Sequence, residues 1–346
     1  MEEQPAPGRE ALDAARAGRP RRRPEDQGRV RPYAGGRRLG LGLVSGLISG
    51  LVVSLSGCQS PGGREPLAAT RAPATTAPAP ASPSAAPSKP SARTWPGPDN
   101  TGVPDGVRLR KSGSLRVTKD GQVIDGLDVT GYITVEADDV TIRNTRVRGT
   151  KGWWGILQRE GRTGLTIEDS EIFGNGKQRT QFGILNQGNL ITVRRVDIHT
   201  ISNGIHTNQG LVEDSYVHDP KYFDGDHTDM IMSTGPPARG TELVIRHNTA
   251  INTLDQTGAI ALFQDFGVTR DVTVQGNLLA GGGWTLYAGA GAKGVSSNVK
   301  VIDNVFSRRV WPKGGAAGPV SYWDHEGPGN LWRGNTWEGG GTVTPG

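Results

Sequence analysis

From Trp95 onward one pattern returns about every 26 residues, and it limits the possible folds more than any other feature of the chain. The apolar anchors of this pattern are Ile124, Ile142, Ile167, Val193, Val212, Ile245, Val274, Val301 and Trp332, spaced by 18 to 33 residues. Two positions before the anchor stand Val140, Leu165, Ile191, Leu243, Val272 and Val299; five after it stand Val129, Val147, Ile172, Ile198, Val217, Leu279, Phe306 and Trp337. Apolar residues at −2, 0 and +5 describe a strand, a bend and a second strand. At +3, inside the bend, sit Thr145, Ser170, Ser215, Asn248, Asn277, Asn304 and Asn335. Small polar residues there are suited to the left-handed conformation, and stacked amides can hydrogen-bond along a column. A further strand follows in most repeats, through Gly155-Ile156, Gly183-Ile184, Gly204-Ile205, Met230-Ile231, Ala259-Ile260, Thr285-Leu286 and Pro319-Val320. One such repeat buries too little to be stable, whereas stacked repeats make a continuous core. The expectation is an all-β domain over 95–346, a single-stranded right-handed parallel β-helix. An antiparallel sandwich also has many short strands, but it does not account for Asn, Ser or Thr returning at one offset.

The segment before the repeat reads differently. Residues 1–57 hold ten Arg and six acidic residues, so +4 of the formal net charge of +5 lies there. The rest is nearly balanced and leaves no nucleic-acid footprint. Basic residues lead into the uncharged run Leu39 to Leu55, which ends in Leu55-Ser56-Gly57-Cys58. Basic, apolar, then small is the order of a secretion signal, and the run is short for a membrane-spanning helix. The tetrapeptide resembles the bacterial lipobox, and that resemblance implies cleavage before Cys58 and a membrane anchor through a lipid on it. An uncleaved apolar anchor with an incidental Cys58 is the alternative. Either way the bulk of the chain is expected on the extracellular face of the membrane, or secreted. Cys58 is the only cysteine, so the exported part can form no internal disulfide. Residues 58–94, rich in Pro, Ala, Ser and Thr, have little to bury and are expected to form a disordered, semi-extended linker.

Several stretches carry a resemblance to a known family: Trp95-Pro96-Gly97-Pro98-Asp99-Asn100-Thr101-Gly102, Val140-Thr141-Ile142-Arg143-Asn144, Asp214-Ser215-Tyr216-Val217-His218-Asp219, Ile245-Arg246-His247-Asn248 and Gly281-Gly282-Gly283-Trp284-Thr285-Leu286-Tyr287. Over about residues 95–340 the chain resembles secreted bacterial right-handed β-helix proteins of the pectate-lyase-like superfamily. The resemblance implies the β-helix and, more loosely, activity on a polysaccharide, because the superfamily spans lyases, hydrolases and epimerases. Its members often carry His-x-Asp-Gly-Ile-Gln where this chain has His227-Thr228-Asp229-Met230-Ile231-Met232. His and Asp match, while Met replaces both Gly and Gln. The polygalacturonase signatures are missing, which removes glycosidic hydrolysis by that route.

The densest polar insert lies between Val212 and Ile245: His218, Asp219, Lys221, Tyr222, Asp224, Asp226, His227 and Asp229. Asp224, Asp226 and Asp229 offer oxygen ligands suited to calcium. Lys221 or His227 could act as base beside such a cation, as β-elimination on a uronate requires. His206 follows Ile205 and should face outward, between Leu185 and Met232, with Tyr287 in the same column. Catalytic candidates are therefore His227, Asp229, Lys221 and His206. Ordinary surface-turn chemistry accounts for the same cluster without function, and calcium binding without catalysis is a third possibility. Tyr287, Trp154, Trp284 and Arg159 are candidates for sugar contact, since aromatic faces stack on sugar rings. Trp284 and Trp323 have an inward or capping role as their alternative, and Trp332 and Trp337 are expected in core columns. The leading expectation is a monomeric surface lipoprotein that binds an acidic or cell-wall polysaccharide, with cleavage by β-elimination left open; the contrasting one is a non-catalytic carbohydrate-binding or adhesion module.

Overall fold

A computed structural model of the protein describes residues 94–345. The basic leader, the apolar run, Cys58 and the linker as far as residue 93 lie outside the described residues. The described chain forms 28 strands and no helix. They make three sheets of ten, nine and nine strands in which every pairing is parallel and links strands three apart in chain order. Each coil thus gives one strand to each sheet, and the protein is a right-handed parallel β-helix, the hand that right-twisted strands favour. Sheet 1 begins with Arg110–Ser112, sheet 2 with Leu115–Val117 and sheet 3 with Val123–Asp125.

The anchors form one unbroken row in sheet 3: each of the nine, from Ile124 to Trp332, is the register partner of the next. The first eight are buried and Trp332 packs against the core. The +5 residues form the matching row in sheet 1, with Ala250 between Val217 and Leu279. Full burial of a Val or Ile stabilises by about 1.5–3 kcal/mol, and these rows exist only when coils stack.

The bend between sheets 3 and 1 differs from the expectation in one respect. The left-handed residue is at +2, not +3. It is Gly126, Asn144, Asp169, Arg195, Asp214, His247, Gly276, Asp303 or Gly334, each with φ between 46° and 67°. The +3 side chain is thereby turned inward, where it is fully buried. The Asn248 amide nitrogen donates to Asn277 Oδ1 at 3.0 Å, Asn277 to Asn304 at 2.9 Å and Asn304 to Asn335 at 2.9 Å. The same oxygens accept from the backbone N–H of the preceding coil, so the column closes the bend's polar groups.

Both ends of the described chain pack against the coils. At the carboxy-terminal end Trp323, Trp332 and Trp337 lie against the core, and the Trp332 indole donates to Val343 O at 2.9 Å. Trp323 therefore has the capping role. At the other end, residues 94–107 do not start at the first coil. Trp95 stacks on His247 of the sixth coil, with ring centroids 5.8 Å apart, and Gly102 N–H donates to Arg195 O of the fourth. Arg110 N–H then reaches Gly126 O of the first coil. This segment is a strap along the sheet 3–sheet 1 corner.

Candidate functional site

Sheet 2 carries Trp154, His206, Asp229, Trp284 and Tyr287 of the residues singled out for function. Its inward row is Ile133, Ile156, Ile184, Ile205, Ile231, Ile260, Leu286 and Val320. Gly155, Gly183 and Gly204 precede three of these, and there is no room for a side chain: a Cβ at Gly183 would lie 2.9 Å from Ile198 Cγ2 and 2.8 Å from Gly204 O. Both residues of each pair face the interior, so the side chain one place earlier turns outward. In later coils Met230 and Ala259 take the glycine position and join the core. Met230 is thus a packing residue, and Met232 is the one on the outer face.

Two columns cover that outer face. One runs Leu157, Leu185, His206, Met232, Ala261, Tyr287 and Ser321, which places His206 between Leu185 and Met232 with Tyr287 three coils beyond it. The other contains Trp154, Phe182, Asn203, Asp229, Gly258 and Trp284, each two residues before the inward row. From Trp154 to Trp284 is five coils, about 24 Å at the usual strand spacing.

Aromatic rings occupy much of this face. Trp154 meets Tyr132 edge-on at 6.3 Å, Phe182 stacks on His206 at 5.5 Å, and Tyr287 contacts Phe263 at 5.2 Å and Tyr322 at 5.4 Å. Trp284 lies over Gly318, where a Cβ would come 2.5 Å from its ring, so it is an outer-face residue. Arg159 sits 5.5 Å above the Trp154 ring. Together with Tyr132, Arg116 and Glu136 these two line a pocket of about 260 Å³. Arg116 pairs with Glu136 at 2.5 Å, while Arg159 is 4.0 Å from the same carboxylate. Two guanidinium groups thus share one carboxylate, and the pocket is cationic.

The four catalytic candidates divide. Asp229 and His206 lie on adjacent strands of the outer face, while Lys221 and His227 are exposed on the preceding loop. Asp229 is buried; its Oδ1 accepts from Gly258 N–H at 3.1 Å and its own N–H donates to Asn203 Oδ1 at 3.0 Å. Burial pushes its carboxyl up to about 8, aided by the charge of Asp265 and opposed by the Gly258 bond, so it stays protonated at neutral pH. Burial likewise pushes Tyr287 up to about 12, with Asp229 adding to the effect. His206 is lowered to about 4 by burial and is neutral. One of its nitrogens lies 2.9 Å from Thr234 Oγ1.

The three carboxylates proposed for calcium are not brought together. Asp224 is exposed on the loop. Asp226 turns inward, accepting from Ser202 Oγ and forming an ion pair with Arg179, which in turn lies 5.8 Å over Trp153. Asp229 is spent on the next strand's backbone. Among the described residues no group of three or more His, Cys, Asp or Glu side chains could hold a metal ion. The loop follows turn chemistry for its peptide groups, with Asp226 N–H donating to Phe223 O at 2.9 Å.

Sequence reasoning did not single out Arg116, Tyr132, Phe182 or Phe263. Phe182 was within reach, since it precedes Ile184 by the same two residues that separate Trp154 from Ile156. Tyr132 and Phe263 lie outside the repeating offsets. In comparisons with protein-family models, curated proteins and solved structures, the chain has no match. Fold and site together define a β-helix with a long, aromatic outer face that is cationic at its amino-terminal end.

Proposed function

We propose that the protein binds an extended acidic polysaccharide along the outer face of sheet 2. The observation that carries this reading is the pair of ring clusters on this face, Tyr132, Trp154 and Phe182 towards one end and Phe263, Tyr287 and Tyr322 towards the other, with Arg159 and Arg116 beside the first. Flat apolar faces with polar edges suit pyranose rings, and guanidinium groups suit carboxylates. Export and attachment through a lipid on Cys58, as its sequence context suggests, would put this face where such polymers are found. Cleavage by β-elimination is a second reading, favoured by one feature: Asp229 and His206 lie on adjacent strands of this face, and Asp229, protonated at neutral pH, could deliver its proton to a leaving oxygen once the groups that cover it move aside. Tyr287 is a poor base at about 12, so the abstracting group would come from the exposed loop that carries Lys221 and His227. No step is assigned to calcium, because no ligand set for it is assembled among the described residues.

Isothermal titration with polyuronates tests binding. Trp154→Ala and Arg159→Ala should each weaken binding about tenfold, and binding should weaken further with salt. Unchanged affinity in both variants removes the reading. In the same samples, growth of the ultraviolet absorbance of unsaturated uronate ends would establish elimination. Its absence on every polymer that binds would leave a binding module.

A further inference from the structure

Beside the arginine pocket lies a second one of different chemistry. It opens at the corner where strands of sheet 2 pass to sheet 3, has a volume of about 450 Å³, and is lined by Glu160, Asn189, His206, Asn208, Thr234 and Phe266 among others. That size is within the usual range for small-molecule sites, about 300–1,000 Å³. Arg159 of the first pocket and Glu160 of the second are consecutive residues, so the two pockets adjoin along the chain. No Lys or Arg lines the second pocket, and its imidazole is neutral.

The walls are held by bonds that fix the orientation of the amides. Asn208 Oδ1 accepts from Ser233 Oγ at 3.0 Å and from Thr234 N–H at 2.9 Å, which leaves its NH₂ group as the free end. Asn189 Oδ1 accepts from Gln209 at 3.3 Å, with the same consequence. Neither NH₂ group has a partner among the described residues. Gln209 is itself tied to Ala238 N–H at 2.7 Å and Thr241 at 2.9 Å, so the turn cannot easily rearrange. Phe266, 82% exposed, offers a bare ring at the rim. The accessible groups are therefore neutral donors, the Gln187 amide with its donor and acceptor, one carboxylate acceptor and an aromatic face. Sugar hydroxyls satisfy such a set, since each can both donate and accept. A uronate carboxylate would meet Glu160 and find no cation.

Resting on the proposed polysaccharide reading, we infer that this pocket takes an uncharged sugar residue next to the acidic one held by Arg159. The ligand is then a mixed polymer of uronate and neutral hexose units, not a plain polyuronate.

The test is isothermal titration of the full chain with three probes: a homopolyuronate, neutral hexose oligosaccharides, and polymers in which uronate and neutral hexose alternate. The alternating polymer should bind about tenfold tighter than the homopolyuronate. Asn208→Asp keeps both accepted bonds but replaces the free NH₂ by a carboxylate oxygen, and Phe266→Ala removes an exposed ring, so neither threatens folding. Phe266→Ala should bring the alternating polymer down to the homopolyuronate's affinity and leave the latter unchanged, while Asn208→Asp, which adds a negative charge, should weaken the alternating polymer at least as much. Equal affinity for the two polymers, or no effect of either substitution while Trp154→Ala still weakens binding, overturns the pocket and spares the wider reading. Loss at Asn208→Asp and Phe266→Ala on neutral oligosaccharides, with no effect of Trp154→Ala on any probe, supports the pocket and overturns the wider reading.

Discussion

At the scale of single residues, Asp229 has the most unusual chemistry. Its folded form holds a proton up to about pH 8, whereas an unfolded chain releases it near pH 4. Between those values the unfolded state binds fewer protons than the folded one, so this group lowers stability as pH rises through the window, by at most about 1.4 kcal/mol per pH unit. Asp229→Asn keeps an oxygen for the Gly258 N–H and cannot ionise. The variant should match the parent near pH 4 and melt higher near pH 8, as thermal unfolding across that range will show. If both proteins have the same pH slope, the carboxyl is not buried as described. Asp229 stands out in the sequence by its place in a polar cluster; its burial does not. Its charge is felt at Tyr287, two coils and 58 positions away, and no local pattern reports such a neighbour. The same holds for Asp226, which reads as a metal ligand beside Asp224 but is held by Ser202 and Arg179 of the preceding coils.

At the scale of one element, the bend between sheets 3 and 1 is the most regular device in the molecule. Asn277 has neighbours on both sides: its Oδ1 accepts two bonds from Asn248, and its amide nitrogen donates to Asn304 Oδ1 and to Ile245 O. Asn277→Ala leaves buried donors and acceptors on both neighbouring coils and should cost about 2–4 kcal/mol in denaturant unfolding. Asn335 ends the column and donates only to Val301 O, so Asn335→Ala should cost about half as much. Equal losses at the two positions would show that the column does not act cooperatively. The +3 column was readable because Asn, Ser and Thr recur there. The left-handed position just before it was not, because Arg195 and His247 share it with glycines. A long side chain at positive φ is tolerated here since the bend points it to solvent or into an ion pair, as with Arg195 and Asp169 at 2.7 Å. Composition at that offset therefore carries no conformational signal.

At the scale of the whole molecule, the core was legible and the coverings were not. Inward rows must be apolar in every coil, so they repeat; outer-face positions such as Trp154, Phe182 and Trp284 keep their offset but not their residue type, and the strap lies outside the repeat. The strap is testable by itself. Trp95→Ala removes the stack on His247 and should expose residues 94–107 to proteolysis while the coils stay resistant. Loss of one aromatic contact is worth about 1 kcal/mol, which corresponds to roughly 2–4 °C in melting temperature for a domain of this size. Unchanged cleavage in 94–107 would mean that Trp95 does not fasten the strap. The open edge at the first coil is guarded differently: Arg110, Lys111 and Arg116 stand on its strands and discourage another sheet from adding there.

The strap also decides how a mechanical load enters the molecule. A pull on Thr94 falls first on the sixth coil, at the Trp95–His247 stack, and not on the first coil where the solenoid begins. Peeling would proceed back along the side of the coils, one weak contact at a time, and release about 50 Å of chain before any strand of the solenoid is strained. The domain thus keeps a short length of chain folded against its own flank, and its first coil is loaded only once that length is drawn out.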